Sequence, residues 1–171
     1  MFDDTRRKIY CVPPREVADT WKGKPIMTKW FEDLYSVLNS LGLCFMPGGL
    51  HLAWGPTYLS RMLSACIGKD ITPQGIMMLG EKNFTLLKVY NVRQGLSRKD
   101  DTWSNRFYEE PLPSGPSKGA ILSRIEMDQF LEEYYELRGW DRRTGIPTRE
   151  KLIELGLNDI ASELVELNKI R

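Results

Sequence analysis

The residue with the clearest potential for chemistry in this sequence is Cys44, in the stretch Asn39-Ser-Leu-Gly-Leu-Cys44-Phe45. The stretch follows an apolar helical pattern and leads into a loop rich in glycine and proline. Gly42 permits the left-handed backbone that ends many helices, so the thiol two residues later is presented to an external partner. Cys44 is therefore a candidate metal ligand. The alternative interpretation is a small buried hydrophobic side chain, the usual role of a lone cysteine.

The other two cysteines, Cys11 and Cys66, do not complete a site with Cys44. An odd number of widely spaced cysteines without a C-x-x-C pair excludes a disulfide framework and a self-contained zinc or iron–sulfur site. The same pattern favours a reducing compartment. Cys66 falls on the apolar side of a helical pattern, which predicts a position on the core face of that helix.

His51 is the only histidine, so a metal site with several imidazole ligands cannot be completed within the chain. It lies in the loop after Cys44, where it either approaches a ligand or remains exposed to solvent. Adjacent carboxylates point apart on a helix, so the acidic pairs are expected to be surface charges. These pairs are Asp100-Asp101, Glu109-Glu110 and Glu132-Glu133. Since no P-loop, GxGxxG, HExxH or EF-hand spacing is present, the chain shows no complete active site.

The elements that must position Cys44 are two helices and a loop. Apolar residues recur at three- and four-residue steps from Pro25 to Leu41, which predicts a helix with one wide apolar face that ends at Gly42. The loop over 43–56 leads into a second helix over 56–67. Thr72-Pro73 has the form of an N-cap with a first-turn proline and predicts a long helix to Gly95. Gly80 inside that helix predicts close approach of another backbone.

The remainder of the chain predicts a long loop and three further helices. No helical or strand period is present from 95 to 119. Ser123 and Glu126 have the spacing of a capping box for a helix that ends at Gly139, and Thr148 and Asn158 are candidate caps for two short helices. The fold predicted is all-α, an irregular orthogonal bundle of about five to six helices with long loops. We expect residues 1–23 to be an extended lead-in or linker and residues 24–171 to be the helical domain.

Composition places the chain among ordinary globular domains. It has 171 residues, of which 42% are hydrophobic and 27% charged, with a formal net charge of +1. This charge excludes the strong positive field that nucleic-acid binding needs. Without an apolar N-terminal signal or a run of about 18–20 apolar residues, no membrane segment is expected, and the cytoplasm is the predicted location.

Six motifs follow one another along the chain: Asn39-Ser-Leu-Gly-Leu-Cys44-Phe45, Asn91-Val-Arg-Gln-Gly95, Arg98-Lys-Asp-Asp101, Phe107-Tyr-Glu-Glu-Pro-Leu-Pro113, Tyr134-Tyr-Glu-Leu-Arg-Gly-Trp140 and Gly145-Ile-Pro-Thr-Arg-Glu-Lys-Leu152. In order and spacing, from about residue 25 to 168, they resemble the C-terminal part of aldehyde ferredoxin oxidoreductases. The resemblance implies helical C-terminal domains of an oxidoreductase with tungsten, or molybdenum, on two pterin-dithiolene ligands beside a four-iron four-sulfur cluster. Such enzymes oxidise aldehydes to carboxylic acids and pass electrons to ferredoxin.

The family motif D-x-x-G-L-C-x implies roles for four residues of this chain. It places a pterin-contacting residue at Asn39, a backbone contact to the pterin at Leu43, the fourth cluster ligand at Cys44 and a further contact at Phe45. Asn39 departs from the motif, because its amide lacks the negative charge of aspartate. The resemblance thus implies that the first contact is altered and that the metal ligand, Cys44, is retained.

The resemblance also implies what this chain does not contain. The family's other three cluster cysteines, in a C-x-x-C-x-x-x-C arrangement, belong to an earlier domain that is absent from this sequence. The chain alone is therefore expected to bind no cofactor and to be inactive, with the missing N-terminal cofactor domains and ferredoxin as partners and a homo-oligomer as a further possibility. The alternative hypothesis is a helical interaction or scaffold module that has this fold and binds no cofactor.

Overall fold

The computed structural model describes residues 23–44, 46, 54–115 and 117–170, and within them the fold is all-α, as predicted. The α-helices are α1 (Lys24–Ser40), α2 (Pro56–Ile67), α3 (Pro73–Arg93), α4 (Arg106–Glu109), α5 (Arg124–Arg138), α6 (Arg149–Glu154) and α7 (Asn158–Glu166), and a short 3-10 helix spans Arg98–Asp100. Six of the seven match predicted helices, and the four-residue α4 within the predicted long loop was not expected. The predicted lead-in over 1–23 lies, apart from Gly23, outside the described residues.

Local sequence signals explain where several helices begin and end. The hydroxyl of Thr72 accepts a hydrogen bond from the Gly75 N–H at the start of α3, and the hydroxyls of Ser123 and Thr148 do the same for α5 and α6. Asn158 is an exception, since it is the first residue of α7 and the preceding Leu157 occupies the N-cap position. The prediction that Asn158 caps this helix was wrong. The Leu157 carbonyl accepts the first bond of the helix, from the Ala161 N–H at 2.9 Å, so Leu157 holds the N-cap position and Asn158 is already helical.

Helix α1 is the central element, because it packs along α3 and also contacts α5. Its apolar face forms one core cluster with Leu59 of α2 and Ile76 of α3. The C-terminal end of α3 packs with α6 and α7 in a second cluster, and α5 contributes to a third cluster around Trp140. None of the described helices combines the length and the apolar character that crossing a membrane requires.

The pairing of α1 with α3 depends on Gly80, where the sequence predicted close approach of another backbone. A Cβ atom built on Gly80 would lie 2.0 Å from the carbonyl oxygen of Asp33 in α1. Only a residue without a side chain permits this contact, so the prediction is confirmed. Glycine lowers helix propensity by about 1 kcal/mol, and the close packing of the two helices explains why it is nevertheless present at this position.

Glu81, next to this crossing, ties α3 to two other elements through charge. Its carboxylate lies 3.2 Å from Lys29 Nζ of α1 and 3.0 Å from Lys151 Nζ of α6. Burial by itself would raise the pKa of Glu81, but the two ammonium groups outweigh it and hold the pKa below its usual value. Because the folded-state pKa is lowered, this stabilisation is present above the unfolded pKa and is lost as pH falls through the folded pKa.

We therefore expect Glu81→Gln to weaken the dependence of the free energy of unfolding on pH in the acidic range. Urea unfolding at about pH 7 and about pH 4 should show a smaller loss of stability on acidification in the variant than in the parent. Glu136→Gln is the matched control, since Glu136 pairs with Arg142 at an exposed site. An unchanged pH dependence in Glu81→Gln would contradict the assigned role.

Candidate functional site

The backbone at the end of α1 fixes the position of Cys44. Gly42 adopts φ 67°, and the Leu43 N–H donates to the Leu38 carbonyl at 2.9 Å, while the Gly42 N–H donates to the Asn39 carbonyl at 3.1 Å. These two bonds form a Schellman motif, which satisfies carbonyls that would otherwise be unpaired at the helix end. The chain after α1 thus leaves in a defined direction.

The Leu43 side chain packs against the core cluster that contains the apolar face of α1, and this contact helps to fix the turn. A hydrophobic contact at this position commonly accompanies a Schellman motif. Cys44 follows directly and is exposed. The alternative of a buried structural cysteine is therefore excluded for Cys44, and the predicted exposure of its thiol is confirmed.

Asn39 lies on the last turn of α1 and is also exposed. The site residues within the described ranges, Asn39, Leu43 and Cys44, therefore surround a single capped helix end. The surface there is partly apolar, since the neighbouring Leu41 and Met46 are 36% and 55% exposed. Phe45 and His51 lie outside the described residues.

The described structure resumes at Trp54, beside the same core cluster. Trp54 packs against it, and Pro56 is buried at the first turn of α2. Leu43 and Trp54 therefore contact the same core cluster.

Cys66 provides the contrast within the chain, because the prediction of a core position was wrong. Its side chain is exposed near the C-terminal end of α2, as are Met62 and Ile67. Helix α2 buries its first turns through Pro56 and Leu59, and its last turn extends beyond the core. An apolar period identifies which face of a helix points inward, but it does not show how far along the helix the neighbouring elements extend.

The donor set fits a contribution to a metal centre and not a complete centre. No group of three or more histidine, cysteine or acidic side chains suited to holding a metal occurs among residues 23–44, 46, 54–115 and 117–170. A thiolate is the ligand that iron–sulfur clusters use, and such clusters usually have about four protein ligands. The exposed thiol of Cys44 is suited to be one of them.

A buried ionic cluster that the sequence analysis did not identify holds α1 in place. Arg138, at the end of α5, is fully buried and donates to Asp33 Oδ1 at 2.5 Å and to Glu32 Oε2 at 2.6 Å. Its Nε donates to the Tyr134 hydroxyl at 3.1 Å, and its guanidinium lies 4.3 Å from the ring centroid of Phe84. We call Arg138, Glu32, Asp33 and Tyr134 the Arg138 cluster.

The protonation states in the Arg138 cluster follow from burial and charge. Burial raises the pKa of the Tyr134 phenol, and the Glu32 carboxylate raises it further, so the phenol remains protonated and donates to Glu32 at 2.6 Å. Lys29 also pairs with Asp33, at 2.8 Å. The Arg138 cluster therefore anchors α1 at Asp33, which lies six residues, or about 9 Å along the helix axis, before Asn39.

A second polar contact attaches the predicted long loop to the domain. Asp101 accepts hydrogen bonds from Lys88 Nζ and from the Tyr135 hydroxyl, both at 2.6 Å. The Arg98 N–H donates to the Thr144 carbonyl at 2.7 Å. The loop after α3 is therefore packed against α5 and the turn that follows it.

Comparison with known proteins identifies the family. Residues 4–157 match the family model for aldehyde ferredoxin oxidoreductase, domains 2 and 3. The tungsten-containing aldehyde ferredoxin oxidoreductase of Pyrococcus furiosus is 37% identical over 150 residues, which cover 86% of this chain and 23% of the relative. That of Pyrococcus horikoshii is 36% identical over 152 residues, which cover 88% of this chain and 23% of the relative.

Two further proteins are similar to this chain, one in sequence and the other in fold. The WOR-like subunit of the aliphatic sulfonate oxidoreductase of Pyrococcus furiosus is 44% identical over 112 residues, which cover 62% of this chain and 18% of that subunit. The active site complex BamBC of benzoyl coenzyme A reductase shares the fold, with a TM-score of 0.69 at 22% identity over 88% of this chain and 21% of that chain.

The match covers a limited part of each relative. The chain spans about a quarter of the length of the aldehyde ferredoxin oxidoreductases that it matches. The family match, the all-α fold and the sequence motifs agree with one another. The chain belongs to the aldehyde ferredoxin oxidoreductase family and corresponds to the C-terminal domain of its members.

Proposed function

We propose that this domain completes the cofactor site of a tungsten- or molybdenum-pterin aldehyde oxidoreductase whose remaining domains are supplied by the same polypeptide or by a separate subunit. The observation that carries the proposal is the exposed thiol of Cys44, one residue after a capped and packed helix end. Family membership and the similarity to tungsten-containing aldehyde ferredoxin oxidoreductases support it. The reaction proposed is oxidation of an aldehyde to a carboxylic acid, with ferredoxin as electron acceptor.

In this proposal the residues of the chain bind and orient the cofactors. Cys44 would be a thiolate ligand of a four-iron four-sulfur cluster, and the Leu43 backbone and Phe45 would contact the pterin. Asn39 offers its amide oxygen to pterin N–H donors. When bound, the tungsten–pterin and the cluster supply the redox chemistry. The Schellman turn holds the Cys44 backbone in one place, so that ligand binding does not require ordering of the chain there.

A second candidate function is a helical interaction module that binds no cofactor. The observation that favours it is Asn39, which lacks the charge of the aspartate in the family motif and therefore forms weaker hydrogen bonds to a pterin. Under this hypothesis the exposed helix end and the surface around Cys44 contact another protein directly. Cys44 then has no metal-binding role.

Assembly with the remaining cofactor domains distinguishes the two functions. The complex would be produced anaerobically with tungstate or molybdate and assayed for bound metal, iron and aldehyde-dependent reduction of ferredoxin. The proposal expects a brown complex with about four iron atoms and one tungsten or molybdenum per domain. A stable complex without iron and without activity would support the interaction module and contradict the proposal.

Asn39 gives a sharper test because two effects of Asn39→Asp have opposite signs. A carboxylate at the C-terminal end of α1 meets the negative end of the helix dipole, so we expect the isolated domain to lose about 0.5 kcal/mol of stability. A carboxylate also forms stronger hydrogen bonds to pterin N–H groups, so the assembled enzyme should bind the pterin tighter, by about 1 kcal/mol.

The measurements for Asn39→Asp are urea unfolding of the domain and fluorimetric assay of oxidised pterin released from the complex after exposure to a chelator. Asn91→Asp is the matched control, since Asn91 is exposed near the C-terminal end of α3. It should lose similar stability and leave pterin retention unchanged. Equal pterin retention in parent and Asn39→Asp would argue against a pterin contact at this position.

A further inference from the structure

An apolar groove of about 940 Å³ lies on the surface of the domain. It is bounded by the first turn of α1, by α4, by α5 and by the segment that connects α4 to α5. Its walls include Met27 of α1, Phe130 of α5 and four residues from the stretch between the 3-10 helix and α5. These four are Trp103, Phe107, Leu112 and Ile121. The groove is separate from the Arg138 cluster and from the end of α1 that carries Cys44.

The four residues are large, apolar and about half exposed. The exposed fractions are 50% for Trp103, 49% for Phe107, 50% for Leu112 and 55% for Ile121. Single exposed apolar residues are ordinary, but a concave cluster of this kind usually marks a contact site. The groove is therefore a candidate contact site.

The walls of the groove are fixed before anything binds. Trp103 and Phe107 pack edge to face with ring centroids 5.1 Å apart. The Leu112 N–H donates to the Ala120 carbonyl at 3.0 Å, and the Leu122 N–H donates to the Phe107 carbonyl at 2.9 Å. These backbone bonds hold the segment after α4 against α4, so the groove is preformed and binding costs little ordering of its walls.

We propose that the groove is the docking site of residues 4–22 of this chain. Lys24 and Met27, on the first turn of α1, line the groove. Residues 4–22 therefore join the described domain at the groove itself. They also belong to the family domain, because the family match begins at residue 4.

The composition and length of residues 4–22 suit this site. The segment contains the apolar run Ile9-Tyr10-Cys11-Val12, followed by Pro13-Pro14 and, later, by Trp21. Its fully extended reach is about 60 Å, which exceeds the width of about 40 Å expected for a domain of this size. Apolar side chains from the segment would cover the exposed faces of Phe107 and Ile121 and remove them from water.

Photo-crosslinking from the groove tests the proposal on the full chain. The photoreactive amino acid p-benzoylphenylalanine would replace Ile121, and the irradiated protein would be digested with trypsin and analysed by mass spectrometry. Ile125 is the matched control, because it lies outside the groove lining and is 72% exposed. Tryptic cleavage releases residues 9–15 and 16–22 as separate peptides, which identify a crosslink to the segment unambiguously.

The expected result is a crosslink from position 121, and not from position 125, to peptide 9–15 or 16–22, with a yield independent of protein concentration. Val12→Asp should reduce that crosslink, because a carboxylate is costly to bury in an apolar groove. A crosslinked dimer whose yield rises with concentration would instead assign the groove to a second copy. Crosslinks confined to the groove walls, or equal from positions 121 and 125, would also overturn the proposal.

Discussion

Arg138→Met is expected to destabilise the domain by about 3–5 kcal/mol, the cost of removing one partner from a buried ion pair. Methionine retains most of the packing against Phe84, so the loss would come from the carboxylates left behind. Asp33 is 2% exposed, and among the residues that the structure describes it would retain only Lys29 as a cationic partner. Because a domain is stable by about 5–15 kcal/mol, this change removes a large part of the total. Urea unfolding followed by far-UV circular dichroism measures it.

Two further variants separate charge from packing in the Arg138 cluster. Adding Asp33→Asn to Arg138→Met should recover part of the stability, because the second change removes the buried charge that the first leaves unpaired. Arg142→Gln is the surface control, since Arg142 pairs with Glu136 where the two side chains are 55% and 62% exposed, and it should change stability by less than about 1 kcal/mol. A loss in Arg138→Met no larger than that in Arg142→Gln would show that the Arg138 cluster does not stabilise the fold.

Gly80→Ala is expected to destabilise the domain by about 3 kcal/mol, although alanine is the better helix former by about 1 kcal/mol. The added Cβ would lie 2.0 Å from the Asp33 carbonyl oxygen, and a backbone atom cannot move aside as a flexible side chain does. Helices α1 and α3 would have to separate, which would also disturb the ion pairs at Asp33 and Glu81. Thermal and urea unfolding would both detect the change.

Gly75→Ala in the same helix provides the opposite expectation. A Cβ on Gly75 would lie 3.4 Å from Thr72 Oγ1, an ordinary van der Waals contact, so this variant should be neutral or slightly stabilised. Similar effects for the two substitutions would contradict the close approach of α1 and α3 at Gly80.

Much of the fold could be predicted because its signals are local. Thr72, Ser123 and Thr148 each accept a backbone hydrogen bond three residues ahead, and Gly139 ends α5 with φ 67°. Such caps depend on residues within one turn, so a single sequence reveals them. Gly80 was predictable for a related reason, since a glycine inside a long helix has a cost that close packing explains.

The Arg138 cluster could not be predicted because its members come from distant parts of the chain. Arg138 pairs with Asp33 across 105 positions, and neither residue departs from the charged pattern of a solvent-facing helix turn. Cys66 shows the complementary limit. Its place in the apolar period suggested burial, but helix α2 buries only its first turns, through Pro56, Leu59 and Ser60, and Cys66 lies beyond them.

The candidate site divides in the same way. The capped end of α1 and the exposure of Cys44 follow from Gly42 and the apolar pattern before it, and the structure confirms both. The roles of Asn39, Leu43, Cys44 and Phe45 toward cofactors come from the resemblance and remain predictions. Those roles require ligands from domains outside this chain, and no feature of these 171 residues specifies where those ligands lie.

Low-temperature EPR of the reduced complex with the remaining cofactor domains tests the central claim most directly, by comparing Cys44→Ser with Cys66→Ser. Both thiols are exposed, but only Cys44 follows the capped end of α1. We predict that Cys66→Ser retains the parent signal and iron content, whereas Cys44→Ser loses iron or shows an altered cluster signal, because serine oxygen is a poor substitute for a thiolate ligand. Identical spectra and iron content in the two variants and the parent would contradict the assignment of Cys44 as a cluster ligand.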